Sequence, residues 1–469
     1  MLVALGFLMV ATFMALIMTK RMTPLLALII VPTVFGLFAG AGLGLGDMVM
    51  DAVKSMSGTA ALLMFAIMYF GIMIDVGLFD KLVDGILRLV GNDPAKVVMG
   101  TAVLTGLISL DGDGSTTFIV VTAALLPIYQ RLGMSPVVLT CVAGLTNGTL
   151  NIVPWGGPTA RAAAALHVDA SAVFVPMIPS LIAGLIVVFA FAWAMGISER
   201  KRLQREDPLR WGPGSKVAPG TGRTGGSPAG GRGVALLEKV AVRGDGTEAA
   251  TMDGTVLDPH RETLRPKLFI FNLSMTVAIM VLLIVDVLPL SYLFMVGTAV
   301  ALLVNFPRIS DQAKMISSHA SSVIAVVSMV LAAAVLTGVL SGTGMVDAMS
   351  AWLVDVIPSS MGPMLAILTG IISIPATFLM SNDAFYFGIL PVLTEAGAHY
   401  GIDAVDMARA SITGQPVHMQ SPLVPAILLL VSMAKVDLGE HHKKVLWRAL
   451  IVALVMLGVG VLTGAIGIG

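Results

Sequence analysis

Residues 110–118 read LDGDGSTTF, two carboxylates, two glycines and three hydroxyls set between long apolar runs. A charge inside lipid is costly, so Asp111 and Asp113 must be paired, protonated or metal-bound if their neighbours cross a bilayer. Whether those neighbours do so decides the fold.

The chain has 469 residues, 57% of them hydrophobic and only 12% charged, with a mean hydropathy of +0.93. Soluble domains carry about 25% charged residues, so the composition predicts an all-α polytopic membrane protein. Strongly apolar runs occupy residues 3–19, 25–43, 60–79, 173–194, 268–288, 293–306, 322–340 and 445–466, most reaching the roughly 20 residues a helix needs to cross the hydrocarbon core. Such runs argue against an outer-membrane barrel, whose strands are short and alternating. The first run lacks a basic flank and a small-residue cleavage site and reads as a retained span. Zero formal net charge suggests no nucleic-acid partner, and the single cysteine, Cys141, excludes an internal disulfide and reads as a packing residue.

Positive charge sets orientation, because Lys and Arg collect in cytoplasmic loops. With the N-terminus outside and 97–130 taken as a re-entrant hairpin, nearly all of the 28 Lys and Arg fall inside, with Lys54 clearly opposite. Residues 198–267, rich in Gly, Pro, Ser and charge, read as a disordered cytoplasmic linker.

The halves on either side of that linker resemble each other. AVLTGLIS at 102–109 recurs as AILTGIIS at 366–373, and Gly71, Gly77 and Asp80 recur with the same spacing as Gly338, Gly344 and Asp347. A Pro- and Gly-interrupted polar stretch follows in each half, TNGTLNIVPWGGP at 146–158 and TGQPVHMQSP at 413–422. The expected organisation is a membrane repeat over 1–197, with a hairpin at about 97–130 and a broken helix at about 134–166. A second repeat over 268–469 carries a hairpin at about 363–396 and a broken helix at about 405–433. Five crossings per half would invert the second repeat, the signature of secondary transporters whose site lies where broken helices meet at midplane.

Non-helical backbone at that depth is tolerated only where it faces a cavity or protein. The hairpin tips supply Asp111, Asp113, Ser115 and Thr116 in one half and Ser381, Asn382 and Asp383 in the other. The broken helices supply Asn147, Thr149 and Asn151, and Thr413, Gln415, His418, Gln420 and Ser421. Hydroxyls, amides and carboxylates suit hard cations, which makes Asp113 and Asp383 the metal-facing candidates. Asp111 or Asp113 is the candidate proton-coupling group. Arg161 is suited either to a bidentate grip on a substrate carboxylate or to snorkelling toward the interface. His418 reads as a proton carrier or as a hydrogen-bonded structural residue, and Asp75 as a coupling or helix-pairing group. His441 and His442, in HHKK, read as part of a cytoplasmic positive anchor.

The stretches LDGDGSTTFIVVTAALLPIYQRLGMSP, TNGTLNIVPWGGPTARAA and SNDAFYFGILPVL resemble the bacterial citrate–divalent-metal/proton symporters, the CitMHS family of the ion transporter superfamily. The resemblance covers both membrane halves. It implies no enzymatic activity and no permanent cofactor. It implies uptake of citrate complexed with a divalent cation of the magnesium or calcium group, coupled to protons, across the bacterial inner membrane. A homodimer with an elevator-like hairpin domain is implied as well. The superfamily's Ser-Asn-Thr tip becomes Ser381-Asn382-Asp383 here, and the first tip departs further, which speaks against a simple sodium site. The competing readings are a sodium-coupled carrier for another organic anion and, from a different class, a membrane metalloenzyme. No HExxH motif supports the latter.

Overall fold

The computed structural model describes residues 1–112, 114–206, 261–285, 287–358 and 360–469. Asp113 and residues 207–260, the bulk of the expected linker, lie outside the described residues. Among those described there are helices and no strand, and seven helices are long and apolar enough to cross a membrane.

The chain begins with α1 (Leu2–Met18), α2 (Pro24–Phe38) and the long α3 (Leu45–Asp75). There follow α4 (Leu78–Val90), α5 (Pro94–Ile108), α6 (Gly114–Leu132) and α7 (Pro136–Leu150). The first half closes with α8 (Gly157–Leu166), α9 (Ala170–Phe174) and α10 (Ile178–Glu206). The chain resumes with α11 (Phe269–Val285), α12 (Leu290–Asn305), the long α13 (Ile309–Gly342) and α14 (Met345–Val356). It continues through α15 (Leu365–Leu379), α16 (Leu390–Ala398), α17 (Ala404–Ile412), α18 (Gln415–His418), α19 (Pro425–Ala434) and α20 (Leu438–Leu462).

Packing exchanges partners between these groups. The long helices α3 and α13 lie along one another, α12 packs on α3, and α2 packs on α13. In the same way α6 packs on α19, while α8 packs on α16 and the turn before it. One hydrophobic cluster gathers α1, α2, α3, α13 and α14, and a larger one surrounds α5, α7, α10, α17 and α20.

Local chemistry explains where helices start and stop. Asp93 precedes Pro94 and accepts the Ala95 amide at 3.0 Å, combining a side-chain cap with the proline-first pattern of helix starts. The same carboxylate grips Arg200 at 2.5 and 2.6 Å, fastening the start of α5 to the end of α10. Gly77 and Gly344, at φ +84 and +73, start α4 and α14 in left-handed turns.

Three expectations are corrected. The apolar run 60–79 is not one helix: residues 60–75 are the second half of α3, which starts at Leu45, and Gly77 breaks the chain before α4, while Asp51 and Lys54 sit within α3 as an exposed pair (2.9 Å). The linker is ordered at both ends. Residues 198–206 continue α10, and residues 261–265 cap α3, with Arg261, Thr263 and the Arg265 amide donating to the Ile74, Asp75 and Val76 carbonyls. That capping satisfies acceptors every helix C-terminus leaves open. The HHKK histidines are packed inside the protein: His441 is 0% exposed and hydrogen-bonded to Thr140 and Gln420. Of the two readings of Asp75, the structure shows pairing, with His319 Nε2 of α13 at 3.0 Å.

Candidate functional site

Two tips and two interruptions converge. The first tip ends α5 in a short 3₁₀ turn over Ser109–Asp111, followed by Gly112 at φ +80. The Trp155 indole donates to the Leu110 carbonyl at 2.8 Å, and its ring would sit 3.0 Å from any Cβ at Gly112. Glycine is therefore required there both by conformation and by space. At the second tip α15 stops at Leu379, Met380 is extended, and Ser381 Oγ accepts the Ala384 amide at 3.2 Å. A π-helical turn, Ala384–Ile389, leads into α16. Pro391 lacks an N–H to return to that turn, which releases it from regular α-helical bonding.

The interruption between α7 and α8 spans residues 151–156, and the one between α18 and α19 spans 419–424. They meet where α7 crosses α18 and the start of the second: a Cβ at Gly148 would lie 3.0 Å from Pro416 Cα and 3.1 Å from Met419 Cβ. This approach brings the amide residues of both halves together. Asn151 Nδ2 donates to Gln415 Oε1 at 3.0 Å, and Gln415 Nε2 donates to Tyr386 OH at 2.9 Å and to Asn382 Oδ1 at 3.3 Å. One turn earlier on the same helix face, Asn147 Nδ2 donates to Ser109 Oγ at 2.9 Å. Its Oδ1 is buried with no hydrogen-bond partner among the described residues, a state that costs about 1–3 kcal/mol unless a ligand repays it.

Beside Asn382 stands the charge pair of the site. Arg161 Nε and Asp383 Oδ1 are 2.5 Å apart, with side chains 23% and 11% exposed. Arg161 is thus paired with a carboxylate of the protein itself, a partner that neither sequence reading of it had named. His418 lies within electrostatic reach of both partners. Its Nδ1 is 2.5 Å from the Thr377 carbonyl, which only accepts, so Nδ1 carries the proton and, in the neutral ring, Nε2 remains an acceptor. A small cavity borders Arg161, lined by Leu63, Val326, Val330 and Phe387. A larger one of about 220 Å³ opens at the far end of α8, lined by Ser55, Thr59, His167, Asp169 and Ser291.

Not every expected residue joins this group. The Thr149 hydroxyl donates to Leu145 O of its own helix at 2.7 Å and its methyl lies near Gly184, because a helical threonine readily back-bonds to the preceding turn. Thr413 likewise donates to Ala410 O at 2.7 Å. Asp111 and Thr116 are buried and Ser115 half-buried at the first tip. The sequence reading missed Tyr386 and Ser109. Ser109 was visible as the last residue of the repeated AVLTGLIS, whereas Tyr386 was masked by its apolar neighbours Phe385 and Phe387.

An all-helical chain with candidate spans, helix interruptions and an internal polar cluster is built as an integral membrane transporter. A solved structure with similar architecture is the Alcanivorax borkumensis YdaH transporter, described as having an unusual topology. It matches with a TM-score of 0.50 at 14% identity, over 91% of this chain and 90% of that one. Residues 2–414 match the family described as CitMHS, citrate transporter, and the chain belongs to that family. From Bacillus subtilis (strain 168), a citrate transporter is 48% identical over 99% of this chain and 100% of its own length. A Mg(2+)/citrate complex secondary transporter from the same organism is 44% identical over 100% of both chains. The chain is a transporter and not an enzyme.

Proposed function

We propose that this protein takes up citrate complexed with a divalent cation and couples that uptake to protons. The observation that carries this reading is the Arg161–Asp383 pair beside a chain of amide side chains drawn from both halves. A metal–citrate complex presents free carboxylates and a hard cation together. A guanidinium binds a carboxylate bidentately, and a carboxylate with neighbouring amide and hydroxyl oxygens suits a hard divalent ion. Binding thus exchanges one internal ion pair for two intermolecular ones, Arg161 to citrate and Asp383 to the metal. Neither protein charge is left uncompensated, which is the costly state inside a membrane.

Asn147, Asn151, Asn382, Gln415, Ser381, Ser115 and Thr116 supply the neutral donors and acceptors, and His418 Nε2 offers an acceptor to the citrate hydroxyl. Asp113 is a further metal ligand, and Asp111 or Asp113 takes the coupling proton. The named substrate of the Mg(2+)/citrate relative supports the metal complex as cargo. The repeated sequence motifs and the exchanged packing of the helices support two inverted halves. In this reading the helices that bear the tips move against α3 and α13 in an elevator-like step. The transporter works as a homodimer in the bacterial inner membrane, with the central linker cytoplasmic.

The test is uptake of labelled citrate into proteoliposomes with each divalent cation in turn, with chelator, and with an imposed proton gradient. Uptake should need the metal and rise with inward proton drive. Accumulation indifferent to both would sink the proposal, and dependence on sodium instead would favour a sodium-coupled carrier.

A further inference from the structure

The HHKK histidines play no part in the site as described so far, yet both end on one residue of its framework. Gln420 lies two positions beyond His418 in the second interruption. Its Nε2 donates to the Gly144 carbonyl of α7 and to the Pro416 carbonyl, each at 3.0 Å. Carbonyls only accept, so the amide is oriented with its nitrogen toward them and Oε1 away. Oε1 lies 3.1 Å from His441 Nε2. An amide oxygen also only accepts, so His441 carries its proton on Nε2, and its Nδ1 faces the Thr140 hydroxyl at 3.1 Å. His442 Nε2 lies 2.7 Å from the Gln420 main-chain carbonyl and, by the same argument, donates to it. Two consecutive residues of α20 thus supply donors to the side-chain and main-chain oxygens of Gln420. Gln420 in turn ties the Gln415–His418 turn to α7, the helix that presents Asn147 and is capped by Asn151.

We propose that His441 and His442 are positioning residues of the citrate site, holding the second interruption in register with α7. This deepens the transport reading above and rests on it. Removing either donor leaves a Gln420 oxygen unpaired in a buried setting and frees the turn that aims Gln415 and His418. A glutamine can place an N–H near the position of a histidine Nε2, so it should restore the contact.

The experiment compares His442→Ala, His442→Gln, His441→Leu and His441→Gln with the wild type. Full-length protein in proteoliposomes is assayed for Mg²⁺–citrate uptake, and thermal unfolding is recorded in detergent. We expect His442→Ala and His441→Leu to raise KM about tenfold while the maximal rate changes far less. The glutamine variants should recover most of that loss. A wild-type KM in folded His442→Ala, or a glutamine variant no better than its alanine or leucine counterpart, would overturn the proposal. Half-buried His442 keeps the test decisive if His441→Leu does not fold. Wild-type vesicles that ignore Mg²⁺–citrate would overturn the substrate reading instead, and the same KM comparison would then be made on sodium-driven citrate uptake.

Discussion

Arg161 and Asp383 are 222 positions apart in the chain and 2.5 Å apart in space. The pair joins the middle of α8 to the second tip, and each partner compensates the other's charge where the side chains are only 23% and 11% exposed. Breaking a buried pair from one side leaves an uncompensated charge and costs about 3–5 kcal/mol in fully buried cases. At the partial exposure seen here, Asp383→Asn should cost about 1–3 kcal/mol, read as a lower unfolding temperature in detergent. It should also reduce metal–citrate uptake at least tenfold. Uptake near the wild-type level would remove Asp383 from the site.

Asn147 has one amide atom engaged with Ser109 and the other buried with no partner among the described residues. Asn147→Ala should therefore change stability little, since removing an unsatisfied buried acceptor offsets the loss of one hydrogen bond worth about 1 kcal/mol. Its apparent affinity for the metal–citrate complex should fall about tenfold in the vesicle assay. A large loss of stability with normal affinity would make Asn147 purely architectural.

Thr149 serves as the contrast, because its hydroxyl is spent on its own helix. Thr149→Val keeps the shape and removes only that local bond. Uptake kinetics should stay within about twofold of wild type, and stability within about 1 kcal/mol. A strong transport defect would show that Thr149 reaches the substrate in another conformation.

Gly148 lets α7 approach Pro416. A methyl there forces the crossing apart, and overpacking typically costs about 1–3 kcal/mol. Gly148→Ala should lower the unfolding temperature and depress uptake together, because the Asn151–Gln415 contact depends on that approach. Unchanged stability would mean that the crossing is looser than the structure indicates.

Asp93 gives a pH signature outside the spans. Burial pushes its carboxyl up, but the Arg200 hydrogen bonds, the Ala95 amide and the nearby Arg200 and Lys96 charges outweigh that and hold it below the ordinary value of 3.8. A folded value below the unfolded one means the stabilisation is present above that ordinary value and lost as pH falls through the folded value. Asp93→Asn should thus be less stable than wild type at neutral pH. The gap, modest because the pair is about one-third exposed, should close below about pH 4. A gap that persists there in thermal unfolding would point to packing in place of charge.

Composition and hydropathy determined the helical, membrane-spanning class, because lipid admits only chains that satisfy their own backbone, and long apolar runs do so as helices. The residues that interrupt helices were also legible, since Pro154, Pro158, Pro416 and Pro422 and the glycines around them are incompatible with continuous helix. The repeated motifs marked both polar stretches. What the sequence could not determine was which polar groups bond to one another. Thr149 and Asn151 look equally available in the string, yet one bonds back to its own turn and the other crosses to Gln415. His441 and His442 look like a charged surface anchor, yet α20 turns them onto Gln420. Arg161 found its partner only when α8 was folded against the second tip. A hydrogen bond or an ion pair is decided by distances of a few ångströms between groups that the string leaves unrelated, and only the tertiary packing of the helices sets those distances.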